Sequence, residues 1–292
     1  MPDRHVADRQ AFLRLAAEMH RELAVPVPPI HLESDDAMAL SLDLGDAPIE
    51  IIHSLTRNSS SVLLDCEVGR VPRGPADASE YRLLCASGEL FRMRQASLGM
   101  DAVRQAIFCS QWRSLVSLTA ADLLAEALAL ARPLRDWVRA GLHDDHWPGV
   151  LGTCTRCSST TSDDAVHWRR VFRAAVESLG AGRAPAEDHV GEAGSSVDVE
   201  IIHDGISFSM AHSLEVPRRL TLELTLGPCA DLPAGETALL LQFNRELSRD
   251  DGAAFSVARQ RDLMRFACAL DLEALGTESL RRRMTELAVL MK

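Results

Sequence analysis

His143-x-x-His146 followed by Cys154-x-x-Cys157 puts four potential zinc ligands within 15 residues. Imidazole and thiolate groups at short spacing suit a tetrahedral metal site. The order of the pairs and the seven residues between them match no common zinc finger, and the run around them, HDDHWPGVLGTCTRCSSTTSDD, has linker composition. Zinc and a reversible Cys154–Cys157 disulfide are the two chemical uses open to these residues. We read the four as having no special role, so neither metal nor cofactor is expected. His53 and His212, each followed by Ser, are a second candidate. A hydrolytic triad also needs an orienting carboxylate and an activated nucleophile, and no G-x-S-x-G elbow accompanies them, so both read as structural histidines. The pairs Asp35-Asp36, Asp144-Asp145 and Asp250-Asp251 fall in turn-like sequence, where adjacent side chains diverge and remain solvated. No phosphate-cradling glycine motif is present. The chain is therefore not expected to be an enzyme.

The elements that position these residues come in two copies. HSLTRNSSSVLLDCEVG (residues 53–69) is echoed by HSLEVPRRLTLELTLG (residues 212–227), and the offset stays nearly constant along the chain: 159 residues at His53/His212, 156 at Glu80/Glu236 and 157 at Leu118/Leu275. A repeat of that period is a pair of domains, not a solenoid. In the first copy, Phe12, Leu15, Met19 and Leu23 recur at helical spacing up to the prolines at 26, 28 and 29. Strands are expected over 37–44, 49–55 and 61–68, a helix over 79–93, and one or two strands over 99–116. Thr119 with Asp122 opens a long helix that Pro133 should kink. The second copy repeats the order: a helix marked by Trp168 and Phe172, strands over 197–204, 206–214 and 219–226, a helix with Leu239, Leu240, Phe243 and Leu247, strands over 253–259 and 262–272, and a helix from Thr277.

Each unit thus reads helix, three strands, helix, two strands, helix. The fold class is α+β with antiparallel sheets. The boundaries expected are 1–142 for the first unit, 143–163 for a linker and 164–292 for the second unit. The two apolar second helices should meet as they would in a homodimer, making an intramolecular pseudo-dimer that is a monomer in solution.

A net charge of −11 disfavours nucleic acid, whose binding draws on basic patches. The N-terminus lacks a signal-like apolar run and no stretch is long and apolar enough to span a membrane, so the cytoplasm is the expected compartment. Seven cysteines, with Cys66, Cys109 and Cys268 in apolar strand-like runs, read as reduced buried thiols.

The order of elements, together with LLLQFNRELSRDDGAAFSVARQRDLMRFACALDLEALGTESLRRRMTELA (residues 239–288), resembles the class I type III secretion chaperones of the Tir chaperone family. The resemblance rests on the apolar helix with Leu239-Leu240 and Asn244, the strand pair after Gly252, and the closing helix after Leu270-x-Leu272. It implies a small, acidic, non-catalytic cytoplasmic protein that holds the extended N-terminal segment of a secreted effector, with the secretion ATPase as a further partner. Members usually carry one such unit, so the two copies here stand for the two chains of a dimer. The residues expected to line the effector groove are Phe12, Leu15, Met19, Phe108 and Trp112 in the first unit and Trp168, Phe172, Phe255, Met264 and Phe266 in the second. Ser87-Gly88, aligned with Phe243-Asn244, reads as a helix-weakening change that makes the second unit the stronger binder. The alternative function is a regulatory or scaffold protein that uses the same fold to hold a folded partner.

Overall fold

A computed structural model of the chain describes residues 2–24, 31–34, 37–43, 48–54, 60–72, 76–115, 118–144, 147, 162–179, 196–213, 218–233, 235–250, 252–272 and 276–289. His146, Cys154, Cys157 and the acidic pair Asp35-Asp36 lie outside these residues. In the first unit, α1 (Pro2–Leu23) is followed by β1 (His31–Ser34), β2 (Ala37–Asp43), β3 (Pro48–Ser54), β4 (Ser61–Arg70), α2 (Ala76–Arg94), β5 (Ala96–Asp101), β6 (Ala106–Ser114) and α3 (Ala120–Arg139). The second runs α4 (Ser162–Ser178), β7 (Ser196–His203), β8 (Ile206–Ser213), β9 (Arg219–Pro228), a single 3-10 turn at Cys229–Asp231, α5 (Glu236–Asp250), β10 (Ala253–Ala258), β11 (Leu263–Asp271) and α6 (Thr277–Val289).

Both sheets are antiparallel throughout, ordered β1-β2-β3-β4-β6-β5 and β10-β11-β9-β8-β7. The fold is α+β in two copies, as the sequence implies. Strand β1 is the addition: its four residues leave too little periodicity to mark a strand. The hairpin between β7 and β8 turns on Asp204 and Gly205, both left-handed (φ 51° and 79°), the pair of conformations that a two-residue hairpin turn needs. Thr119 caps α3, accepting from the Asp122 amide at 3.1 Å, and the helix continues through Pro133.

Each strand's apolar face packs under helices. The core of the first unit takes Phe12, Leu15 and Met19 from α1, Leu64 and Cys66 from β4 and the buried stripe of α3. The second has Phe172, Phe208, Leu222, Leu280 and Met284. Leu241 of α5 and Val257 of β10 belong to the first core, so the hydrophobic interior crosses from one copy into the other. Helix α2 packs on β10, α5 packs on β5, and the two helices pack on each other. The duplicated apolar helices meet, giving the pseudo-dimer within one chain.

Two glycines set how closely the copies approach. A Cβ on Gly99 of β5 would lie 2.7 Å from the amide nitrogen and 2.8 Å from the Cα of Arg245 on α5. Its counterpart contact is Gly88 of α2 against Ser256 of β10, where a Cβ would lie 3.0 Å from the Ser256 Cβ. Residues 88 and 245, and 99 and 256, are both 157 apart, so α2 and α5 correspond at that offset. Ser87 is then the duplicate of Asn244 and Gly88 that of Arg245. Gly88 is placed by close packing against β10.

The described cysteines Cys66, Cys85, Cys109, Cys229 and Cys268 are buried and in no disulfide. Burial, with Asp65 adding to it, pushes the Cys66 thiol up to about 12, so it is a protonated packing group.

Candidate partner-binding site

The residues expected to form a groove lie mostly in the interior. Phe12, Leu15 and Met19 are buried under the first sheet, and Trp168, Phe172 and Phe266 are buried in the second core. Phe108 and Trp112 are buried where the copies meet: the guanidinium of Arg245 sits 3.3 Å over the Phe108 ring, and the Trp112 indole donates to the Ser248 carbonyl at 2.6 Å. Only Phe255 and Met264 are partly exposed, and Phe255 packs edge-on against Phe266 with ring centroids 5.1 Å apart. The eight buried side chains are core and interface instead of groove, while Phe255 and Met264 keep part of their surface open. A periodic apolar stripe shows that a helix face is covered, and here the chain's own sheets do the covering.

His53 and His212 are structural in matching ways. Each is fully buried and stacked on a helix phenylalanine: Phe12 on His53 at 5.2 Å and 23°, Phe172 on His212 at 5.3 Å and 19°. His53 Nδ1 lies 3.2 Å from the Ser61 carbonyl oxygen and donates to it, while its buried Nε2 has no hydrogen-bond partner. A second proton would have no acceptor. Burial holds the imidazole below its ordinary value of 6.5, with the Ser61 carbonyl pulling the other way. Because the folded value is the lower one, the unfolded chain binds the proton first as pH falls. Stability should therefore be full above about 6.5, the value of an unfolded histidine, and decline below it until the folded group itself titrates. Urea unfolding from pH 8 to 5 should show this decline, and His53→Gln should remove part of it. An unchanged pH profile in that variant would refute a buried neutral His53.

The polar chemistry of the molecule gathers instead between the copies. Asp65 of β4 is buried, accepts from Ser110 Oγ at 2.8 Å, and receives Arg249 Nη2 of α5 at 2.7 Å. Its duplicate is Glu223 of β9, which is also buried; it receives Nε and Nη2 of Arg92 on α2, both at 2.6 Å, and Arg265 Nη1 at 2.8 Å. Helix α2 thus sends Arg92 onto the other copy's β9, and α5 sends Arg249, with Arg245 at 3.7 Å beside it, onto β4. A carboxylate in a buried strand is stable when it is paired and hydrogen-bonded. The sequence carries a signal for this pair that apolar periodicity passes over: an acid stands at the duplicated position of both apolar runs, Asp65 in SVLLDCEV and Glu223 in LTLELTLG. Among the described residues no group of three or more His, Cys, Asp or Glu side chains could hold a metal ion.

The two copies differ at one pair of duplicated sheet edges. In the first sheet, the outer edge of β2 is covered by β1 at Ala37–Ala39, with His31 opposite Ala39 and Leu32 opposite Met38. The duplicate of β2 is β7, which is the last strand of its sheet, and among the described residues no strand lies outside it. Val199 and Ile201 of β7 point into the core, whereas Ile202 is 78% exposed. A free strand edge carries a row of unpaired amides and carbonyls, the template for adding another strand. No helix among the described residues is long and apolar enough to cross a membrane.

No protein-family model matches the chain, and no curated protein does. Solved structures similar to part of it include the HopA1–SchA chaperone–effector complex, at 16% identity over 43% of this chain and 94% of that one with a TM-score of 0.32. The ExsC–ExsE complex is similar at 18% identity over 43% of this chain and 90% of that one, with a TM-score of 0.34. The ExoT–SpcS complex from Pseudomonas aeruginosa is similar at 19% identity over 43% of this chain and 97% of that one, with a TM-score of 0.28.

Proposed function

We propose that this chain is a non-enzymatic polypeptide-binding protein, a chaperone for a type III secreted effector, whose extended N-terminal segment adds as a strand along β7. The observation that carries this reading is the unequal pair of duplicated edges: β1 pairs with β2 at Ala37–Ala39, whereas among the described residues no strand pairs with the outer edge of β7. Main-chain hydrogen bonds along β7 would supply affinity independent of the bound sequence, and side chains alternating across the added strand would supply selectivity. An effector as the partner follows from the sequence resemblance of residues 239–288. The interlocked copies support it further, since they hold the edge on a rigid double-sheet body and the segment need only order itself.

The test uses the first hundred or so residues of a secreted protein encoded beside this chain, titrated by calorimetry and followed by amide hydrogen exchange. Burial of the segment on the order of 1,000–3,000 Å² should give a negative heat-capacity change. Exchange should slow along Ser196–His203 and stay unchanged along Ala37–Ala39, where β1 already pairs. Protection confined to helices, with β7 unaffected, would put a folded partner on another surface and favour the scaffold reading.

A further inference from the structure

The outer faces of the two second helices are duplicates with unequal cover. On α2, Leu83, Ala86 and Leu90 are fully buried in the first core. Trp147, beyond the end of α3, joins that core: it is 4% exposed, its ring lies 4.7 Å from that of Trp137, and its indole nitrogen donates to Glu89 on α2. Arg259 of the second copy fixes the same stretch through Asp144 at 3.2 Å. A piece of chain carrying a tryptophan is therefore strapped to α2.

At the offset of 157 residues the counterparts on α5 are Leu240, Phe243 and Leu247, with Glu246 in the place of Glu89. Among the described residues no segment straps this face as Trp147 straps α2. Phe243 is 49% exposed and Leu239, one turn earlier, is 46% exposed, while Leu240 and Leu247 are partly buried. Among the described residues no tryptophan stands on Glu246 as Trp147 stands on Glu89. Large apolar side chains paired at i and i+4 form one continuous strip on a helix surface, and such a strip beside the exposed carboxylate of Glu246 is an unusual thing to leave in water.

We propose that this face of α5 is a docking site for a polypeptide segment that presents a tryptophan, with Leu239 and Phe243 as its apolar floor and Glu246 accepting the indole N–H. The occupant is read from the molecule's own duplicate, where the same helix face and the same glutamate already hold such a segment. Exchange of Ala86 for Phe243 does not close the site, because half of the ring remains open; it adds an aromatic surface against which an incoming ring packs offset or edge-on. This inference is independent of the strand edge at β7, which belongs to another element.

The probe is a peptide with this chain's own residues 134–149, which contain Trp137 and Trp147, titrated into the isotope-labelled full chain. Amide shifts should concentrate on Leu239–Leu247. Phe243→Asp, a change at a half-exposed position that leaves the fold intact by its amide spectrum, should weaken binding at least about tenfold, the size expected for losing a central apolar anchor. Glu246→Gln should weaken it less, and Leu13→Asp on the exposed side of α1 should leave it unchanged. Absence of shifts on α5, binding unaffected by Phe243→Asp, or equal binding of a peptide with both tryptophans replaced by alanine would overturn the proposal. So would a concentration-dependent dimer of the full chain that Phe243→Asp dissolves, since the face would then belong to a second copy.

Discussion

Replacing Glu223 by alanine should cost about 3 kcal/mol of stability, and Asp65→Ala about as much, because breaking a buried ion pair strands its partner charges. Glu223 pairs with both Arg92 and Arg265. The Glu223 side chain is 2% exposed and that of Arg265 16%, so water cannot fully replace what is lost. Arg92 is 30% exposed and also reaches Asp198 at 3.4 Å, which keeps the expected loss at the lower end of the usual range for buried pairs. Urea unfolding at neutral pH measures it. Removing the arginines as well, in Glu223→Ala with Arg92→Met and Arg265→Met, should recover most of the loss, since an apolar replacement of the whole group leaves no charge unpaired. Glu223→Ala within about 0.5 kcal/mol of the parent, as surface substitutions are, would mean that the pair is solvated and does not tie the copies together.

How far these ties can be seen in the sequence depends on their range. Helices and strands were legible because their signals are local: the three-and-four spacing of Phe12, Leu15 and Met19, the alternation through 263–271, and the Thr119 cap all act within a few residues. The duplication was legible too, and with it the meeting of α2 and α5. The partners of buried charges were not. Arg92 meets Glu223 across 131 residues of chain and Arg249 meets Asp65 across 184. Nothing local marks such a pair except an acid out of pattern in an apolar strand. Core and groove were confused for a related reason: Phe12 and Phe172 have the spacing of residues that cover something, and the spacing is the same whether they cover the protein's own sheet or a guest. The edge at β7 escaped for want of a contrast, since only β1, too short to read, shows that its duplicate is covered.

The second large effect is expected at Asn244, and it should be unequal to that at its duplicate. Asn244 is fully buried at the crossing of the two copies. Its Nδ2 donates to the Leu98 carbonyl of β5 at 3.1 Å and to the Phe255 carbonyl of β10 at 2.8 Å, and its Oδ1 accepts from the Phe255 amide at 2.6 Å. β5 and β10 are the terminal strands of their sheets, so these backbone groups have no neighbouring strand on that side. The asparagine amide acts as a short piece of strand serving both. Ser87, in the same position on α2, makes one bond of this kind among the described residues, accepting from the Leu98 amide at 3.1 Å. With each net hydrogen bond contributing on the order of 1 kcal/mol, and a buried group left alone costing somewhat more, Asn244→Ala should lose about 3–4 kcal/mol and Ser87→Ala about 1 kcal/mol. Asn244→Asp should do no better than alanine, for it removes both donors and places a carboxylate against two carbonyl oxygens. The shared core predicts that every variant still unfolds in one transition, because neither copy can release α2 or α5 without exposing the other's interior. Equal small losses at both positions would show that the asparagine does not bridge the edges. A second transition appearing in Asn244→Ala would show that the copies fold separately and that the crossing only joins them.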